Sequence, residues 1–129
     1  MRTKPGDPTI KAGRLTKAAR FADAAHLVLD LADEADDVAD AFVTLAVHAG
    51  IAAADVICCA RLGVYHQGEN HNDAVDLLAT TDKAAAGELR ALLGMKTRAG
   101  YSWQPVSGQD RVRAERAMDA LVAAAHQIP

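Results

Sequence analysis

Lys96, Arg98, Tyr101 and Trp103 interleave cations with aromatic rings over eight positions. Ammonium and guanidinium groups hold phosphate, and ring faces stack on bases, so this spacing suits a single-stranded nucleic acid. The same residues also suit a helix end whose rings close the bottom of the core while the cations stay solvated. Upstream, His66 and His71 carry imidazoles, which gain and lose protons near neutral pH. Asn70 stands three residues before Asp73 and fits the start of a helix, with His71 beside it. His48, Cys58, Cys59, His66 and His71 have metal-binding atoms. They lack the paired-cysteine and paired-histidine spacings of closed zinc sites, so neither a metal nor a cofactor is expected. Asp55 lies in an apolar stretch, where an unpaired carboxylate costs several kcal/mol. It needs a cation, with Arg90 and Arg98 as candidates, or a polar edge; the alternative is a functional acid.

Helices must position these groups. The chain has 129 residues, 29 of them alanine, and aromatic residues make up only 4%. Alanine is the strongest helix former and strand formers are sparse, so the fold class read here is all-α. Residues 1–13 hold Pro5, Gly6, Pro8 and Gly13 and read as a flexible basic lead-in. Helices are expected over 14–34, 37–62, 71–79, 82–97 and 108–127: four main helices and a short fifth in one domain. Connections of two to ten residues favour an up-and-down antiparallel bundle. The 37–62 helix is apolar around most of its circumference, with Val38, Phe42, Leu45, Ala49, Ala52, Val56 and Cys59 in one stripe. Such a helix belongs at the centre. Gly63 and Gly68 bracket a break after it. Thr80 and Thr81 are expected to cap the fourth helix, and Ser107 with Asp110 the last.

Net charge is −3, which excludes a basic nucleic-acid binder of the whole-protein kind. The charge is uneven. Residues 1–20 carry six basic and one acidic residue, 21–86 two basic and twelve acidic, and 87–129 six basic and four acidic. Arg90, Lys96, Arg98, Arg111, Arg113 and Arg116 can therefore form a local basic surface or lie on solvated helix faces. Adjacent Cys58 and Cys59 read as small buried residues of a reducing, cytoplasmic compartment. No apolar run follows the basic start, so no signal peptide is expected. Residues 41–60 contain a single charge and could span a bilayer by length. Seven alanines, with Thr44, His48, Gly50 and Asp55, point instead to a buried helix and no membrane association.

Four stretches taken together resemble the HEPN family of helical bundles. They are AADVICCARLG, the following YHQGENHNDAVDLL, LRALLGMKTRAGY and the turn QPVSGQD, within residues 38–127. The family's active members are metal-independent ribonucleases whose motif is an Arg, four to six residues, then a His. Arg61 and His66 fit it. The resemblance implies that His66 moves a proton at the RNA 2′-hydroxyl or the leaving oxygen, and that Arg61 binds the scissile phosphate. It implies a homodimer with the site between protomers, in a bacterial toxin or defence setting. Asn70, His71, Lys96, Arg98 and Tyr101 are the candidate substrate contacts. The alternative is a noncatalytic interaction module that docks to a nucleotidyltransferase-type or other partner. For Arg61 the plainer alternative is a charge complementing the helix dipole. An alanine-rich, aromatic-poor core is thin for a lone small domain and independently favours a dimer.

Overall fold

The computed structural model describes residues 1–129. Its elements are β1 (Thr3–Pro5), α1 (Pro8–Leu31), a 3-10 turn (Ala35–Val38), α2 (Ala39–Leu62), β2 (Val64–His66), α3 (His71–Ala79), α4 (Lys83–Gly100) and α5 (Gly108–His126). The fold is an all-α helical bundle with one small two-stranded ladder.

α2 is the axis. Fourteen of its 24 residues are buried, including Phe42, Val43, Val47, Val56 and Ile57. That fraction requires partners on several sides, and α1, α4 and α5 supply them. Small residues set the spacing: a Cβ added at Gly50 would collide with Leu92 Cδ1 on α4. α1 contributes Ala18, Ala22 and Ala25 at helical spacing. α4 brings Leu89 and Leu92, and α5 brings Met118 and Leu121. α2 with its preceding turn is long and apolar enough to cross a membrane, and most of that stretch is buried among the other helices.

Caps fix where the helices begin. Asp7, Asn70, Asp82 and Ser107 each accept a hydrogen bond from the backbone N–H three residues on, which satisfies a donor the helix itself cannot. The α4 cap is Asp82, not Thr80 or Thr81. Thr80 instead donates its hydroxyl to Leu77 O. Asp40 Oδ1 accepts from Val106 N at 2.8 Å and ties the α4–α5 loop to the start of α2.

The expected flexible lead-in over 1–13 is corrected. Thr3–Pro5 pairs antiparallel with Val64–His66, with Thr3 opposite His66. Pro8 then opens α1 six residues earlier than expected, at a position where proline's fixed φ and missing N–H suit a helix. α2 stops because Gly63 takes φ +72°, and its N–H donates to Cys59 O. Gly63 O in turn accepts from Gly6 N at 2.9 Å. The helix end therefore anchors the N-terminal strand.

A side chain with a Cβ in that left-handed conformation costs roughly 1–2 kcal/mol. Gly63→Ala is expected to lower unfolding free energy by about that amount in a urea titration. An unchanged midpoint would mean that α2 does not end this way.

Candidate functional site

Two adjoining cavities lie where α2, β2, α3 and α4 meet, the first of them closed on one side by α1. One, about 360 Å3, is walled by Arg14, Asp55, Cys58, Tyr65, His66 and Gln67 over an apolar floor that includes Ile51 and Leu89. The other, about 450 Å3, is walled by His66, Glu69, His71, Lys96 and Tyr101. Ile51, His66, Gly68 and Ala74 border both.

Each polar group arrives on a different element. His66 ends β2, so its place depends on the pairing with Thr3. His71 opens α3 directly after the Asn70 cap. Lys96 projects from the last turns of α4, and Tyr101 follows that helix. Lys96 Nζ lies 3.4 Å from His71 Nε2. An ammonium only donates, so His71 accepts through Nε2 as a neutral ring. Its proton affinity agrees. Burial lowers the His71 pKa most, followed by the charges of Lys96 and His66, against a smaller opposing effect of Glu69. A neutral imidazole beside an ammonium is equipped to take a proton while the cation holds an anion.

The first cavity holds an acid. Asp55 Oδ2 accepts from Arg14 Nε at 2.9 Å. Despite that partner, its carboxyl is pushed up to about 6, because burial outweighs the attraction and hydrogen bond from Arg14. The expected ion pair is present, but its cation is Arg14 rather than Arg90 or Arg98. One signal points to Arg14, since positions 14, 18, 22 and 25 form one helical stripe and set this cation in line with the buried alanines of α1, but it does not by itself choose among the arginines. His48, on the exposed side of α2, stacks on Phe21 with ring centroids 5.3 Å apart. Burial pushes the Cys58 thiol up to about 12, which leaves it protonated and unreactive at neutral pH.

The sequence candidates separate. His66, His71, Lys96 and Tyr101 converge on one cavity. Arg61, in the last turn of α2, borders a different cavity with Ile57, Thr81, Asp82 and Gln127. Asn70 caps α3, and Arg98 is exposed and lines neither cavity of the site. Tyr101 and Trp103 are 80% and 90% exposed, so they do not close the core. A His–Glu–Asp group with metal-binding atoms lies elsewhere, between α1 and α5. No family model matches this chain, and no curated protein matches it.

The Asp55 carboxyl gives the site a pH signature. Its pKa is higher in the folded chain, near 6, than the ordinary 3.8, so the native state holds this proton more tightly than the unfolded one. Its stabilising contribution is complete below about pH 3.8 and is lost as the pH rises through about 6. Asp55→Asn is expected to flatten the stability profile across that window in chemical denaturation. A profile of unchanged slope would contradict the assignment.

Proposed function

We propose that this chain is an HEPN-like protein that acts on RNA, a bundle of four main helices and a short fifth in up-and-down antiparallel order, working as a homodimer. The observation that carries the reading is the meeting of His66, His71 and Lys96 in one cavity. Metal-independent RNA cleavage needs three things: a base for the 2′-hydroxyl proton, an acid for the leaving 5′-oxygen, and a cation for the phosphate. As the Lys96 ammonium turns from His71 to the phosphate, the freed Nε2 of neutral His71 takes the 2′-proton while that oxygen attacks the adjacent phosphorus. His66, in its protonated form, returns a proton to the 5′-oxygen as the P–O bond breaks. Lys96 holds the non-bridging oxygens. Tyr101, exposed at the rim, stacks on a neighbouring base. Arg61, which borders another cavity, reaches this phosphate only from a second copy.

One observation favours a second reading, the noncatalytic module that docks to a partner protein. Within one chain Arg61 and His66 open onto separate cavities, as expected when the Arg–His pair has no joint task. The exposed Leu27 and Leu31, one turn apart on α1, then belong to a protein contact.

Purified protein incubated with mixed RNA in excess chelator separates the two. Cleavage by the wild type is expected, with His66→Ala and His71→Ala each reducing the rate by about 100-fold or more. Arg61→Ala should act only where sizing shows a dimer. No cleavage by the wild type, or equal cleavage by all variants, would remove the ribonuclease reading and leave the docking module.

A further inference from the structure

His26 on α1 faces Glu115 and Asp119 on α5, away from the cleft. Its Nε2 lies 3.0 Å from Asp119 Oδ1 and 3.8 Å from Glu115 Oε2. The three donor atoms lie within 4.8 Å of one another. Glu115 and Asp119 are four residues apart, hence on one face of α5, and the imidazole reaches them from a different helix. Neither carboxylate has a lysine or arginine partner; the ion pairs formed by arginine are Arg14 with Asp55 and Arg113 with Glu88. Two carboxylates therefore share one imidazole as their sole close counter-group.

We propose that His26, Glu115 and Asp119 form a binding site for a divalent transition metal of the zinc class, which clips α1 to α5. The spacing fits the ion. Donors about 2.0–2.1 Å from one metal stand about 3.0–3.5 Å apart in octahedral or tetrahedral geometry. The imidazole nitrogen stands 3.0 Å from Asp119 Oδ1, within that range, and 3.8 Å from Glu115 Oε2, just beyond it, so closing the set on a metal requires the Glu115 carboxylate to move inward. Donor chemistry selects the class. Imidazole with carboxylate suits zinc, cobalt and nickel, whereas magnesium and calcium prefer oxygen alone. Three protein ligands leave a coordination position for water. The site shares no residue with the RNA reading and stands without it.

Titration calorimetry with zinc chloride, and cobalt(II) absorption as a spectroscopic probe, test the proposal on the full chain. One zinc per chain is expected, with no heat from magnesium or calcium at the same concentrations. Outer-sphere partners alone change metal affinity roughly 10–100-fold, so His26→Ala and Asp119→Asn should each weaken zinc at least about tenfold. Circular dichroism of both variants should match the wild type. His71→Ala serves as the control and should bind zinc normally. Absence of zinc binding, undiminished binding by both variants, or loss of binding in His71→Ala would overturn the proposal.

Discussion

The rest of the molecule follows from the burial of α2. A helix with apolar atoms on nearly every side lowers its free energy only when other helices cover it, and α1, α4 and α5 do so. Alanines and Gly50 let those neighbours come close, so the core is built from many small contacts rather than a few large rings. The same burial dictates what polar groups on α2 can do. Asp55 enters the bundle only because Arg14 arrives from α1 to meet it, and even so the desolvation it suffers exceeds what the guanidinium returns.

A second consequence lies at the C-terminal end of α2. The helix cannot continue past Gly63, and the chain that turns away there must satisfy its backbone. It does so by pairing Val64–His66 with the N-terminal strand while Gly6 donates to Gly63 O. His66 is thereby delivered to the wall shared by both cavities. The cleft is thus assembled from element ends: the last residue of β2, the first of α3 and the last turns of α4. Its chemistry comes from partial dehydration. Burial makes His71 a poorer holder of its second proton and Asp55 a better holder of its first.

The helices were legible because alanine content, apolar spacing and caps agree. The 71–79 helix and the end of α2 at Leu62 stand where those signals place them. The N-terminal strand was not legible. Three residues are too few to show alternation, and Pro5, Gly6 and Pro8 read locally as loop; their partner lies some sixty residues away in sequence. The Arg14–Asp55 pair was half legible, since the need for a cation follows from Asp55 alone while the choice among arginines depends on packing. Convergence of His66, His71 and Lys96 could not be read from spacing. The separation of Arg61 from His66 follows from the chain turning at Gly63 between them.

Amide hydrogen exchange at Gly6 and Gln67 tests the central claim most directly, because these amides donate to Gly63 O and Arg2 O and exist as donors only if the N-terminal strand is docked beside the end of α2. Slow exchange at both, rising together on destabilisation, is the expected result. Exchange at the rate of an unstructured chain would mean that His66 is not held in the cleft, and the site built on it would not exist.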